Sequence, residues 1–385
     1  MTLREDEDEQ NATKDLTTGS PMKLILGFGI PLLFGMLFQQ FYNMMDTIIV
    51  GKFLGVSALA SVGATGSINF MIIGFCMGVC NGFAIPVAQR FGAKDEHGMR
   101  KFVANSVWLS IIFAVVMAVL VCVFCRQILE LMNTPEDIID GSYSYIFVIF
   151  LGIPATYMYN LLSGIMRSLG DSKTPLYLLI FSSILNIILD LLSIIVLKMG
   201  VAGAAWATVI AQAVSGFCCL GVIWKKFPIL HVQREEWQPD KLCILNLCNM
   251  GIPMGLQYSI TAIGSVIIQA AVNSLGSVAV ASVAAAVKIN MFLCCPYDAM
   301  GSTMATYAGQ NVGAGKFDRL KQGEKSCTLL GLVYGIAAFI FILLFGKYLA
   351  LLFVDVSEEV IINQAHLFLM CNSAFYFPLA LVNIF

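Results

Sequence analysis

The chain sets long apolar runs between short polar clusters. A helix needs about 20 apolar residues to cross the hydrocarbon core of a bilayer, and Gly and Pro are tolerated inside such helices. Ten stretches are long enough: 24–50, 58–88, 102–125, 142–166, 175–197, 203–224, 243–272, 278–308, 326–346 and 361–385. They predict an all-α polytopic membrane protein with ten spans. The first 22 residues hold the acidic run Glu5-Asp6-Glu7-Asp8-Glu9 and no basic stretch leading into a short apolar core. They read as a solvated acidic tail and not as a signal peptide.

Composition agrees with this pattern. Of the 385 residues 58% are apolar and 12% charged, with mean hydropathy +0.83, whereas soluble domains carry about 25% charge. The net charge of −2 and a pI near 5.9 lack the basic footprint that nucleic-acid binding requires. The 12 cysteines are too few for a disulfide scaffold. Cys122-Val-Phe-Cys125 has redox-motif spacing inside an apolar run with no βαβ context, and no His has a partner at metal-ligand spacing. No phosphate-binding loop is present, so neither a cofactor, a metal site, nor direct ATP drive is expected. Asn11-Ala-Thr13 fits a glycosylation acceptor but falls on the side read below as cytoplasmic.

Basic residues orient the spans, because cytoplasmic loops retain Lys and Arg. Seventeen fall on one side and four on the other, with Lys288 inside the eighth span. The N-terminus is therefore expected in the cytoplasm, and the chain in the plasma membrane, the inner membrane of a bacterium.

An internal repeat organises the spans. An offset of 221 residues lays Gly55–Ala93 on Gly276–Ala314 without a gap, with 12 of 39 positions identical. The matches include Ala60-Ser61-Val62 with Ala281-Ser282-Val283, Ile68-Asn69 with Ile289-Asn290, and Gln89-x-x-Gly92-Ala93 with Gln310-x-x-Gly313-Ala314. One residue of slip upstream puts Gly29-Ile30-Pro31 on Gly251-Ile252-Pro253. A six-span unit returns its copy in the same orientation, so two six-helix bundles are expected about an axis along the membrane normal, with substrate between them. The expected domains are a tail over 1–22, an N-lobe over 23–225, a linker over 226–242 and a C-lobe over 243–385. A second unit of about 220 residues would end near residue 440, beyond Phe385, which reads as a truncation with two spans missing.

Carboxylates in spanning helices cost about 2.5–3.5 kcal/mol on insertion scales and are functional candidates by default. Asp46, Asp190 and Asp298 qualify. Gln39, Asn43 and Asp46 make one polar stripe on the first span, and Asn186 stands one turn from Asp190 on the fifth. Counted from the outer ends, Asp46, Asp190 and Thr208 lie about five, eight and five residues deep, comparable at about 1.5 Å per residue. They can meet in one outer-leaflet pocket. A buried carboxylate resists charge, so it takes up a proton or binds a cation; alternatively each acid is a packing residue held by nearby hydroxyls and amides. Asp298, after Pro296, can line the second half, and Lys288 can contact substrate, pair with a charge or snorkel. Pro31 removes a backbone hydrogen bond in the first span and makes either a hinge or a static kink. Gly74, Gly78 and Gly82 form a small-xxx-small face for helix packing.

Asn43-Met-Met-Asp46-Thr-Ile-Ile-Val-Gly51 with Gly55 and Leu59-Ala60 resembles the first-span signature of bacterial members of the multidrug and toxic compound extrusion (MATE) family. So do Asn186-x-x-x-Asp190 with Gly200-Val-Ala-Gly203-Ala-Ala-Trp-Ala-Thr208, the repeated Gln-x-x-Gly-Ala, and Arg167-x-x-Gly170-Asp171-x-x-x-Pro175. The resemblance implies twelve helices in two lobes around a V-shaped cavity, and export of organic cations in exchange for H⁺ or Na⁺. It also implies a cation site of Asp46, Asn186, Asp190 and Thr208, with Na⁺ possible at the two acids, and bending near Pro31. Some relatives carry an acid on span seven; here 243–274 has none, which favours coupling in the N-lobe.

The expected function is therefore an alternating-access antiporter for cationic or amphiphilic small molecules, acting as a monomer in the lipid bilayer. Two rivals are a lipid-linked precursor flippase, whose anionic head would need buried basic residues of which only Lys288 offers itself, and a non-transporting truncated paralogue. An intramembrane enzyme lacks any paired nucleophile and base.

Overall fold

A computed structural model describes residues 13–132, 134–352 and 358–384. The acidic run Glu5–Glu9, Asn11 and Phe385 lie outside the described residues. Helix α1 (Pro21–Leu54) is followed by α2 (Val56–Ala64), α3 (Gly66–Gly92), α4 (Glu96–Val123), α5 (Cys125–Leu131), α6 (Ile139–Leu151) and α7 (Ile153–Ser168). Then come α8 (Lys173–Leu191), α9 (Gly200–Lys226), α10 (Lys241–Asn273), α11 (Ser277–Gly313), α12 (Phe317–Ala350), α13 (Glu359–Ala374) and α14 (Tyr376–Ile384). Among these, eight helices are long and apolar enough to cross a membrane, and the pairs α6–α7 and α13–α14, each bent by 46°, bring the spans to ten.

Local chemistry sets the boundaries. Asp95 caps α4 by accepting from Gly98 N–H at 2.9 Å, and Asp240 caps α10 by accepting from Leu242 and Cys243 at 2.8 and 3.0 Å, which satisfies otherwise orphaned donors. The α6–α7 bend falls at Gly152, where a side chain would collide with Val209 of α9. Gly55 and Gly276, equivalent in the repeat, both hold positive φ, 87° and 94°. That left-handed turn favours glycine. The second span departs from the expected single helix: it breaks at Thr65, whose hydroxyl donates back to Val62 C=O at 2.7 Å, a side-chain bond that competes with the helix.

Two apolar cores form. One gathers residues of α1–α10 from Ile49 to Leu247; the other gathers α11–α14 together with Leu16, Ile25, Phe28 and Leu32. The first half of α1 thus packs with the C-terminal core, and α1 is shared between the halves rather than belonging wholly to the first.

The halves cross tightly at the Lys/Arg-rich face. A side chain on Gly92 would run into the Gln310 carbonyl oxygen, and one on Gly313 into that of Gln89. This contact is reciprocal, as a two-fold relation between the repeats demands, and it explains why both Gln-x-x-Gly motifs persist. Farther in, Gly78 and Gly82 of α3 lie against Met254 and Gly251 of α10, while Gly29 of α1 meets Thr303 of α11. The contact with α10 extends to Met71, whose carbonyl accepts from Ser259 at 3.3 Å. Beyond it Ile260, Ile263, Ile267 and Ile268 are exposed.

Residues 14–17, expected in a solvated tail, are instead wedged into this crossing. Lys14 N–H donates to Leu169 C=O at 2.9 Å, Leu16 N–H to Gln310 Oε1 at 2.8 Å, and Lys316 Nζ to Thr17 C=O at 2.9 Å. Leu16 is fully buried. The linker is fastened too: buried Glu236 meets Arg100 Nε at 2.9 Å, Lys101 meets Asp240 at 2.5 Å, and Trp108 Nε1 donates to Trp237 C=O at 3.0 Å. Burial alone would raise the Glu236 carboxyl, but the Gln233 N–H, Arg100 and His97 outweigh it and hold it below the usual range.

Candidate functional site

Helices α1, α8 and α9 bring Asp46, Asp190 and Thr208 together, as their depths predict, and Asn186 one turn from Asp190 joins them. The carboxyls of Asp46 and Asp190 are in hydrogen-bonding contact. Asp190 is fully buried, Asn186 and Asp46 nearly so. With its amide nitrogen facing Asp190, Asn186 donates to Oδ2 at 3.1 Å and accepts from Thr208 N–H at 3.1 Å; turned the other way, it reaches only the Thr208 hydroxyl, at 3.3 Å. The first orientation satisfies both ends of the amide.

Asp46 Oδ1 and Asp190 Oδ1 have no hydrogen-bond partner. Buried polar atoms are otherwise almost always paired, so the pair has oxygen lone pairs free for a proton or a small cation. Among the described residues no group of three His, Cys, Asp or Glu is placed to hold a metal ion; a monovalent cation here would draw on two carboxyls, the Asn186 amide and the Thr208 hydroxyl.

Sequence reading missed three contributors. The Tyr42 hydroxyl reaches Thr208, and Tyr145 of α6 lies close to both acids. Neither aromatic stands out in an apolar helix without knowledge of its neighbours. A π-helical turn over Leu192–Val196 follows the end of α8 at Leu191, with Ser193 Oγ donating to Asp190 C=O at 3.2 Å; such turns recur beside functional sites. The third contributor is Arg167, one of the seventeen basic residues on the expected cytoplasmic side.

Below the acid pair opens a cavity of about 170 Å³. Asn186 and Thr208 line it at one end and Arg167 and Ser172 at the other, with Pro31 and Gln39 of α1 between. Helix α1 runs through Pro31 without interruption. Tyr258 of α10 and Ser302 of α11 complete the wall, so both halves contribute. Of the other candidates, Asn43 is exposed and stands outside this network. Asp298 lies near Tyr258 but apart from the acid pair. Lys288 is exposed and makes no ion pair or hydrogen bond among the described residues.

The MatE family profile matches residues 31–192 and 253–385. The chain belongs to the MATE family. It is similar to the probable multidrug resistance protein YoeA of Bacillus subtilis (strain 168), 31% identical over 353 residues that cover 89% of this chain and 75% of that protein. The probable multidrug resistance protein YpnP of the same strain is 29% identical over 371 residues, covering 96% and 82%. Among solved structures, an outward-facing multidrug resistance MATE family transporter of the MOP superfamily matches with TM-score 0.88 and 25% identity, over 96% of this chain and 84% of that one. The fold is the MATE fold with its two-bundle repeat, and the protein is an integral membrane efflux transporter. The MATE family is one of transporters and not of enzymes.

Proposed function

We propose that this MATE protein is a secondary antiporter that exports cationic or amphiphilic small molecules in exchange for H⁺ or Na⁺. The contact between Asp46 and Asp190, with one buried oxygen of each unpartnered, carries the reading. Two buried carboxylates in contact repel when both are charged, and a proton or a cation relieves that repulsion. Cation and coupling ion therefore compete for one negative site.

The bias of Lys and Arg toward one face supports a cytoplasmic N-terminus and a cytoplasmic Gly92–Gln310 crossing, and on that reading the closed crossing corresponds to an outward-facing state. Uptake of H⁺ or Na⁺ at the pair weakens the hold on the exported cation. It also removes charge that differs in cost between the two states, and a ligand shifts a conformational equilibrium only through such a difference. Pro31, on the wall of the cavity, is where α1 can yield, because its missing N–H leaves one helical bond unmade. By the repeat the lobes are assigned to 23–225 and 243–385, with the first half of α1 packed on the second lobe, and the transporter is assigned as a monomer.

The test is export of a fluorescent organic cation from proteoliposomes driven separately by a pH gradient and by a Na⁺ gradient. Export under one gradient, lost in Asp190→Asn reconstituted at equal density, is the expected result. Unchanged export by Asp190→Asn would sink the assignment.

A further inference from the structure

Among the described residues, Arg167 is a cation without a counter-charge. It stands one residue before the end of α7 at the Lys/Arg-rich face, where an arginine ordinarily lays its stem outward and keeps its head in water. Side chains on a helix lean toward its N-terminus, and here Arg167 follows that lean back into the protein. Its Nη2 donates to Asn81 Oδ1 of α3 at 3.0 Å, and Gly164, one turn earlier, leaves room for the guanidinium. Tyr159 and Tyr258 lie nearby.

Guanidinium has five N–H donors, and the bond to Asn81 is its one hydrogen bond among the described residues. None of the described carboxylates makes an ion pair with it. The neighbouring Asp171 is committed to the N–H groups of Lys173 and Thr174, both at 3.0 Å. Arg167 is half-buried, and it lines the same cavity as Asn186 and Thr208. A charge withdrawn from bulk water normally finds an opposite charge, whereas Arg167 lines that cavity with donors to spare. The space is bipolar, with an acid pair beside one end and an unpaired arginine at the other.

We propose that Arg167 is an anion subsite that holds the carboxylate of the transported molecule, so that the cavity takes zwitterionic amphiphiles as well as plain cations. The positively charged end of such a molecule lies toward Asp46 and Asp190, and its carboxylate docks on the guanidinium, whose planar fork matches a carboxylate with two parallel hydrogen bonds. This rests on the export reading for the acidic end of the cavity and adds to it the residue that receives a carboxylate, a group that the acidic end alone would repel. It also relocates the basic group of the membrane domain: Lys288, the one candidate that the sequence offered for an anionic ligand, is exposed and outside the cavity, and Arg167 is in it.

The experiment compares rhodamine B, which carries a free carboxylate, with its ethyl ester, which carries the same cationic fluorophore and no carboxylate. Binding to the full purified chain is measured by fluorescence anisotropy for wild type, Arg167→Gln and Arg167→Lys. Arg167→Gln is expected to weaken rhodamine B about tenfold or more while the ester stays within twofold. Arg167→Lys, which keeps the charge but not the fork, should fall between. An equal loss for both dyes would show a merely structural arginine and overturn the proposal, as would no loss for either. Should Arg167→Gln not fold, the same contrast in Arg167→Lys decides.

A chloride-for-gluconate exchange separates the two sources of anion. Chloride that competes with rhodamine B in wild type supports a shared subsite. If Arg167→Gln abolishes a chloride effect on the ester while leaving rhodamine B unchanged, the subsite holds an inorganic ion and the proposal fails. Asp190→Asn controls for the export reading: it should weaken the ester, and failure to do so counts against that reading while the Arg167→Gln contrast still decides the subsite.

Discussion

Helices α1 and α10 hold equivalent places in the two halves. Each carries Gly-Ile-Pro in its first half, and each is followed by a glycine of positive φ, Gly55 directly after α1 and Gly276 just before α11. Past the proline they diverge. The offset that aligns Pro31 with Pro253 puts Tyr42 and Asp46 of α1 opposite Gly264 and Ile268 of α10. Asp46 is buried against α8 and α9, whereas Ile268 is exposed. The crossing glycines are kept in both copies and the acid in one. The duplication has therefore preserved the parts that let two bundles touch and left the buried acid pair in one bundle. On the proposed mechanism one half senses the ion, and both halves must move.

The largest effect should come from trying to transplant the chemistry. Asp46→Asn is expected to reduce gradient-driven export at least tenfold, and adding Ile268→Asp should not restore it, because that position lacks partners like Asn186, Asp190 and Thr208. Vesicle export assays of the single and double variants check this; recovery in the double variant would mean that the halves are interchangeable. A middle-sized effect tests what the halves share. Gly92→Ala and Gly313→Ala each force a methyl into a backbone carbonyl, and overpacking of this kind costs about 1–3 kcal/mol. Both should lower the melting temperature by similar amounts, and the pair should fall short of the sum because the two contacts share one crossing. Markedly unequal shifts would break the symmetry argument.

The smallest effect separates the linker from both halves. Lys101 and the N–H groups of Cys243 and Leu242 hold the Asp240 carboxyl down to about 2, below its ordinary value of 3.8. A depressed carboxyl contributes stability that is complete above its unfolded value and is lost as pH falls through the folded one. Melting temperatures of wild type and Asp240→Asn should therefore differ by a constant amount above about pH 5 and converge between about pH 4 and pH 2. The difference will be slight because the pair is solvent-screened. A gap that persists at pH 2 would assign the stabilisation to something other than the charge.

Much of this architecture is legible in the residues. Run length alone locates ten spans, and exact identities locate the repeat. Depth counting brings Asp46, Asp190 and Thr208 to one level, because helical rise is constant enough to compare three spans, and Asn186 follows one turn from Asp190. What escaped depends on contacts that pattern does not encode. The break at Thr65 turns on one hydroxyl; its repeat counterpart, Ala286, has none, and α11 runs on unbroken. Arg167 looks like a loop cation because position along the chain says nothing of which way a long side chain points. Asn43 fits a polar stripe by spacing, yet the structure leaves it exposed, since spacing on one helix does not say where its neighbours pack. Tyr42 and Tyr145 are two aromatics among many until the neighbouring acids are placed.

Gln310 departs from its repeat counterpart as well, for its side chain is buried and bonds both Leu16 N–H and the Ser168 carbonyl, at 2.8 and 2.9 Å, whereas Gln89 is half-exposed. Parting the halves at this face means extracting Leu16, and returning a buried leucine to water costs about 1.5–3 kcal/mol. Residues 14–17 are continuous with the root of α1, and the short stretch from Lys14 to Pro21 can pay out only about 23 Å when fully extended. They therefore act as a tendon whose slack is fixed by chain length, so that the resting bias of the transporter is written partly outside its spans.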